Sequence, residues 1–312
     1  MIVIAGGTGF LGRPLVASLA AGGHAVTVLT RHRDDRRGNL PASPPRAASG
    51  SIVQVEWHPD GTTGPWMRAI DGADGVVNLA GESIAARRWT ASQKARLVES
   101  RLLATKSLVD AIAAAASPPK VFISGSAIGY YGDRGDEVLS EISAPGRDFL
   151  AELSVQWERE AMRANSARTR ATLIRTGIVL HSTGGALAKM LPPFKAFAGG
   201  PLGSGQQYMS WIHRDDWVAL VSWAITNDVV GGPINATAPE PVTNLEFSKA
   251  LGRALHRPSR LPAPAFALRL LLGEMADSLL LASQRVIPAR AEELGFQFSY
   301  PRLERALENL FA

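Results

Sequence analysis

The sequence predicts an α/β fold in which a doubly wound parallel sheet is joined to a smaller C-terminal lobe. Three observations carry that prediction. Short apolar runs alternate with longer helical stretches as far as Arg175. The runs are apolar throughout, as strands buried on both faces must be. A glycine-rich turn joins the first run to the first helical stretch. The length of 312 residues suits one compound unit of two lobes, and 46% hydrophobic with 20% charged residues excludes a disordered or fibrous chain.

In chain order, strands are expected at residues 2–5, 25–29, 52–56, 75–78, 121–124 and 171–175. Between them, residues 11–21, 66–70, 92–116 and 148–165 carry apolar side chains at helical spacing, so the connections read as right-handed crossovers. Residues 32–51 are rich in Arg, Pro, Ser and Ala and read as a mobile surface loop. Beyond Arg175 the texture changes, with glycines at 177, 184, 185, 199, 200, 203 and 205 separating short elements, and helices follow near 244–255 and 266–281. The domain reading is a nucleotide-binding domain over 1–180, its sheet completed by parts of 207–240, and a smaller substrate lobe over 181–312. No fixed-period repeat is visible, so a solenoid is not expected.

Cysteine is absent, which excludes disulfides, thiolate metal sites and a cysteine nucleophile. The net charge of +5 and the pI near 9.8 raise the question of an acidic partner. Only six of the 33 basic residues are lysines, the arginines are scattered apart from a group at 31–37, and no aromatic residues are interleaved with a basic run. Nucleic acid is therefore not an expected partner. The N-terminal residues lack a basic region and run straight into the glycine turn, so they read as a strand, not a signal peptide, and a cytoplasmic location is expected. The best membrane candidate, residues 263–281, is interrupted by Arg269, Glu274 and Asp277 and reads as an amphipathic helix, so no membrane partner is expected.

Gly6, Gly9 and Gly12 stand directly after the first strand and open the first helix. Small residues there let backbone approach a pyrophosphate, which the helix N-terminus attracts through unpaired N–H groups and its positive dipole end. Gly6, Thr8, Gly9, Phe10, Leu11 and Gly12 are thus the first candidate dinucleotide contacts; the alternative is a tight turn alone. The second strand ends Leu29, Thr30, Arg31, His32, Arg33, and its first acid, Asp34, comes late. A carboxylate at the strand end would accept from a ribose 2′-hydroxyl, whereas an arginine pairs with a 2′-phosphate. NADP is therefore expected over NAD, with Thr30 and Arg31 as contacts and Arg33 as helper, unless Arg31 simply faces solvent.

With AGGTGFLG at the start, VVNLAGE at 76–82 and ISGSAIGYYGD at 123–133, the chain resembles the short-chain dehydrogenase/reductase superfamily in its extended, epimerase-like form. The segments RRWT, FLAELSVQWE, RTGIVL, GGALAKMLPPF, GGPLGSGQQYMSWIHRDD and NATAPEPVTNLEF extend the resemblance to an atypical branch, the NAD(P)-binding epimerase family proteins with their own small C-terminal domain. The resemblance implies a Rossmann-type sheet, with Leu79, Ala80 and Gly81 along the adenosine and ribose, Ser124 at the cofactor, and Val179 near the nicotinamide. It also implies that Arg101, where extended members carry an asparagine, reaches the cofactor phosphates.

Reduction of a carbonyl leaves an alkoxide that needs a proton, and the superfamily supplies it from a tyrosine tuned by a lysine four residues later. None of the four tyrosines has that partner: Tyr130 is followed by Arg134, Tyr131 by Gly135, Tyr208 by Ile212 and Tyr300 by Glu304. In FLAELSVQWE the tyrosine place falls on Phe149 or Leu150 and the lysine place on Leu153 or Ser154. Ser126 matches the hydroxyl that orients the substrate oxygen. The expected catalytic set is Ser126 with Tyr130 or Tyr131, Arg134 supplying fixed charge in place of lysine.

Four further residues have two readings each. His213 is an acid–base candidate or the cap of the next helix. Glu82 is a hydroxyl acceptor or a surface acid, and Lys189 and Arg88 are anion ligands or solvated charges. There is no G-x-S-x-G elbow, H-E-x-x-H pair or P-loop lysine, and the aspartates at 133, 136, 215 and 216 are too dispersed for a calcium loop, so no metal is expected. Two function classes follow. One is an NADP-dependent oxidoreductase or epimerase-like enzyme acting on an unknown small molecule as monomer or homodimer; the other is a non-catalytic NADP(H)-binding regulator or sensor.

Overall fold

The computed structural model describes residues 1–31 and 49–311, so Arg33 and all but the end of the expected surface loop lie outside the described residues. Strands β1 (Ile2–Ala5), β2 (Val26–Thr30), β3 (Ile52–Glu56), β4 (Gly75–Asn78) and β5 (Val121–Ala127) form one parallel sheet with two later strands. Helices α1 (Gly12–Ala21) and α2 (Ala91–Ala114) cross over between them, and a 3-10 turn at Pro65–Ala69 replaces the α-helix expected at 66–70. Gly64 before it is extended and Pro65 sits in its first turn.

After a second 3-10 turn (Ile128–Tyr131) come β6 (Val138–Leu139), α3 (Phe149–Met162) and β7 (Arg170–Thr176). The chain then leaves the sheet through β8 (Ile178–Leu180), α4 (Gly185–Lys195), β9 (Tyr208–Met209), β10 (Trp211–His213) and α5 (Arg214–Thr226), and returns as β11 (Gly232–Ala236). The strand order is β11-β7-β5-β4-β1-β2-β3, with Ile2 in register with Val26 on one side and Gly75 on the other. The order reverses beside β1, the place where open α/β sheets leave a crevice for a ligand.

Successive side chains of β1 enter opposite layers. Ile2 and Ile4 pack with Leu15 of α1 and Trp217 and Leu220 of α5, whereas Val3 and Ala5 pack with Trp57, Trp66, Leu108 and Phe122. Both faces are covered, as apolar strands require. A third core, around Trp211, Phe247 and Leu307, belongs to the C-terminal lobe of β12 (Val242–Thr243), α6 (Asn244–Ala254), α7 (Ala265–Leu272), α8 (Glu274–Ala276), β13 (Arg285–Val286), α9 (Ala289–Glu293) and α10 (Leu303–Phe311). The single amphipathic helix expected at 266–281 is broken instead. Gly273 has φ +63°, in the left-handed region that favours glycine, and α8 then gives way to a π-helical turn at Asp277–Leu281. Among the described residues no helix is long and apolar enough to cross a membrane.

Candidate functional site

The turn from β1 into α1 is built by close backbone approach. Gly6 has φ +79°, and a Cβ there would lie 2.6 Å from the carbonyl carbon of Leu79; a Cβ on Gly12 would lie 2.2 Å from the Gly6 carbonyl oxygen. No side chain fits at either place. The Gly9 N–H donates to the Gly6 carbonyl at 3.0 Å and the Arg13 N–H to the Gly9 carbonyl at 3.0 Å. α1 opens with neither a side-chain cap nor an acid in its first turn. Thr90 caps α2, Asp148 caps α3 and Thr243 with Glu246 forms a capping box on α6, while α4 and α7 open as α1 does. An uncapped, acid-free N-terminus leaves the positive end of the helix available to an anionic group. Thr8 and Gly9 are exposed there and Leu11 is half-buried, while the ring of Phe10 lies against Gly184 and Gly185 at the head of α4.

The flanking strand ends complete the crevice. Thr30 is buried at the end of β2 and Arg31 after it is exposed, while Glu56 stands opposite Thr30 on β3. Asn78, fully buried, donates through Nδ2 to Thr105 Oγ1 at 2.9 Å and accepts from the Ala80 N–H at 3.1 Å, which fixes Leu79, Ala80 and Gly81 beside Gly6. Arg101 lies against Gly81 and over the Trp157 ring, donating to the carbonyls of Leu97 at 3.1 Å and Glu82 at 3.0 Å. Burial brings its pKa down to about 10, opposed by Glu82, so the group stays cationic at neutral pH. Arg101 is thus a strut beneath the β4 loop. The Glu82 carboxylate accepts from Gln93 Nε2 at 2.9 Å.

At the end of β5, Ser124 is fully buried and its hydroxyl donates to the Gly125 carbonyl at 3.2 Å. The Ser126 hydroxyl donates to Glu158 Oε1 at 2.6 Å. Glu158, on α3, is held by Arg175 of β7 through two charge-assisted bonds of 2.8 Å, with side-chain exposures of 4% for the arginine and 9% for the glutamate. Burial works against the Arg175 charge, but the bonds and charge of Glu158 outweigh it and raise the guanidinium pKa above its usual value. Arg175 also donates to the Tyr131 hydroxyl at 3.0 Å and lies 3.5 Å from the centre of the Tyr130 ring.

This geometry gives three of the expected residues their surroundings. Tyr131 is fully buried, and its hydroxyl donates to Asn235 Oδ1 at 2.7 Å; burial pushes its pKa up to about 12 against the opposing pull of Arg175. In this arrangement its proton is directed at Asn235. Arg134 pairs with Glu137 at 2.7 Å, so the cation beside the tyrosines is Arg175. Val179 is buried on β8 in register with Ile212, with its carbonyl oxygen against Gly185. Ser126 and the half-buried Tyr130 are the catalytic candidates the structure keeps together, bridged by the Glu158–Arg175 pair.

At the tyrosine and lysine places on α3, Phe149 is half-buried and Leu150, Leu153 and Ser154 are buried. Leu150 joins an apolar cluster with Trp89, Leu97 and Met275, against which Phe149 and Leu279 pack. His213 caps α5, its Nδ1 accepting from the Asp215 N–H at 3.2 Å, and its ring lies on Tyr300 with centroids 4.0 Å apart. Lys189 donates to the Ala85 carbonyl at 2.8 Å, and Arg88 lies against Gly273. Among the described residues no group of His, Asp or Glu is arranged to hold a metal ion. Sequence reasoning missed Glu158, Arg175 and Asn78. The available signal was a charge embedded in an apolar strand, Arg175 in TLIRTGIVL, opposite a glutamate beside Trp157.

The NAD dependent epimerase/dehydratase family model matches residues 2–236, and a domain of unknown function matches residues 263–310. The chain is 44% identical over 308 residues to the chloroplastic epimerase family protein SDR39U1 homolog of Arabidopsis thaliana, covering 98% of this chain and 85% of that protein. It is 41% identical over 308 residues to the epimerase family protein ML0860 of Mycobacterium leprae, covering 98% and 94%. Among solved structures it superposes on human epimerase family protein SDR39U1 with NADPH at a TM-score of 0.87 and 34% identity, covering 99% of this chain and 98% of that one.

Proposed function

The chain belongs to the NAD dependent epimerase/dehydratase family, and from that premise we propose that it binds NADPH and acts as an oxidoreductase or epimerase-like enzyme on a small carbonyl or alcohol. The observation that carries the cofactor is the turn at the head of α1, where glycine backbone packs on Leu79 and the helix N-terminus is left without a cap or an acid. The NADPH present in the human relative supports it. Residues 6–12 would hold the diphosphate, Leu79 to Gly81 the adenosine side, and exposed Arg31 the 2′-phosphate. When bound, the cofactor supplies or accepts a hydride.

The chain's own contribution is charge and proton handling. Ser126 gives its proton to Glu158, so its free lone pairs accept from a substrate hydroxyl; donating to a substrate oxygen requires the hydroxyl to rotate away from Glu158. Tyr130 is then the proton donor. The Arg175 guanidinium lies 3.5 Å from the centre of its ring and holds that ring in place. Phe149 or Leu150 at the tyrosine place and Leu153 or Ser154 at the lysine place support a second reading, a protein that binds NADPH without turning it over.

Mixing the protein with NADPH and a panel of aldehydes, ketones and nucleotide-sugars, while following absorbance of the reduced ring, separates the two. Turnover that is lost in Tyr130→Phe and reduced in Ser126→Ala is expected. Micromolar NADPH binding with no turnover across the panel overturns the enzymatic reading, and absence of binding overturns both. Arg31→Ala is expected to erase a preference for NADPH over NADH in calorimetry; an unchanged preference removes Arg31 from the 2′-phosphate.

A further inference from the structure

Between Phe247 and Gly273 the chain carries Lys249, Arg253, Arg257, Arg260 and Arg269 and no carboxylate. Fold and sequence concentrate this charge at one place. Lys249, Arg253, Arg257 and Arg260 line a shallow hollow at the end of α6 together with His256 and Ser259. Glu304 neutralises Arg253 at 3.1 Å, Asp277 neutralises Arg269 at 2.9 Å and Glu246 is within electrostatic reach of Lys249, while Lys249, Arg257 and Arg260 form no ion pair among the described residues. The chain runs directly from this hollow into α7, and the Leu261 N–H donating to the Gly199 carbonyl and the Ala263 N–H to the Pro201 carbonyl hold the link against the loop after α4.

α7 has no buried residue. Phe266, Leu270 and Leu271 are 72%, 78% and 71% exposed, and Leu261 and Phe197 beside the basic hollow are also exposed. These five account for most of the large apolar side chains on the described surface, and Arg257 lies over the Phe197 ring at 4.6 Å. Scattered single exposures are ordinary; a contiguous apolar patch with a one-sign rim marks an interaction surface. A plane with anionic groups at its surface and hydrocarbon beneath suits it.

We propose that this face docks on an anionic lipid surface, with Phe266, Leu270 and Leu271 entering the headgroup boundary and Lys249, Arg257 and Arg260 meeting lipid phosphates. The sequence reading expected no membrane partner because residues 263–281 cannot cross a bilayer; lying on its surface is a separate property, compatible with charges at 269, 274 and 277.

The test is co-sedimentation of the full chain with vesicles of phosphatidylcholine alone and of phosphatidylcholine with phosphatidylglycerol. Binding to the anionic vesicles only, weakened by added salt, is expected. Arg257→Ala with Arg260→Ala should weaken it about thirty-fold, and Phe266→Ser with Leu270→Ser should abolish it. These positions are exposed or at the hollow's edge, and thermal melting of each variant checks the fold. Equal binding to both vesicle types, or none, overturns the proposal. So does a self-association in sedimentation equilibrium that Leu270→Ser removes while vesicle binding stays absent, which would make the face a contact between copies.

Discussion

Replacing Glu158 with alanine removes one half of a buried ion pair and leaves the other half in place. Arg175, with 4% of its side chain exposed, would lose both bonds of 2.8 Å, and the Ser126 hydroxyl would lose its acceptor at 2.6 Å. An uncompensated buried charge of this kind costs about 3–5 kcal/mol. At roughly 2.1 cal/mol/K of unfolding entropy per residue, a chain of 312 residues should melt about 5–8 °C lower. The assay is thermal and urea unfolding of the wild type, Glu158→Ala, Arg175→Met and the double variant. The double variant should be more stable than Glu158→Ala, because no stranded charge remains, giving a coupling of about 2 kcal/mol or more. A Glu158→Ala loss below about 1 kcal/mol, or additive single effects, would refute the argument that this pair is the electrostatic floor of the site.

Other outcomes follow from the same contacts. Tyr131→Phe strands Arg175 and Asn235 and should cost about 1–3 kcal/mol in urea unfolding, whereas Tyr130→Phe should leave stability within about 0.5 kcal/mol and affect turnover alone. Gly12→Ala forces a methyl to 2.2 Å from the Gly6 carbonyl oxygen, so NADPH binding measured by calorimetry should fall at least about tenfold, equivalent to about 1.4 kcal/mol. Burial holds the His213 pKa below 6.5; the unfolded chain therefore takes up this proton first as pH falls, and stability drops below about pH 6.5 until the folded value is passed. His213→Asn keeps a capping oxygen and should shrink the loss of urea midpoint between about pH 7 and pH 5. The raised pKa values of buried Asp216 and Glu141 act in the opposite sense and are common to both proteins.

Periodicity made most of the nucleotide-binding half legible. Five of the six expected strands fall within one residue of β1 to β4 and β7, and the one expected at 121–124 runs on to Ala127 as β5, because strands covered on both faces must be largely apolar. The Gly6–Gly12 turn was legible for a related reason: only glycine tolerates backbone at the distances found there. The break at Gly273 was hidden inside a run whose apolar spacing fits a helix on either side of it. The Ser126–Glu158–Arg175 connection was hidden because its members come from three elements, and pairing of β5 with β7 puts Ser126 in register with Arg175. Tyr131 could not be told from Tyr130 without knowing which ring the buried Asn235 would meet. Adjacent residues on a 3-10 turn point in different directions, one into the core and one along the crevice.

The position of β11 has a consequence for how the molecule is made. β7 ends at Thr176, but the strand that pairs with its outer edge ends at Ala236, about 60 residues later. At a synthesis rate of about 5–20 residues per second, that edge waits roughly 3–12 s on the ribosome. During that interval a strand that ends up buried along most of its length has one side without a partner. A ribosome paused in this stretch would display a nascent chain with an open edge that other chains can join, so slow codons between these two strands should raise the insoluble fraction while the same codons placed after Ala236 should not.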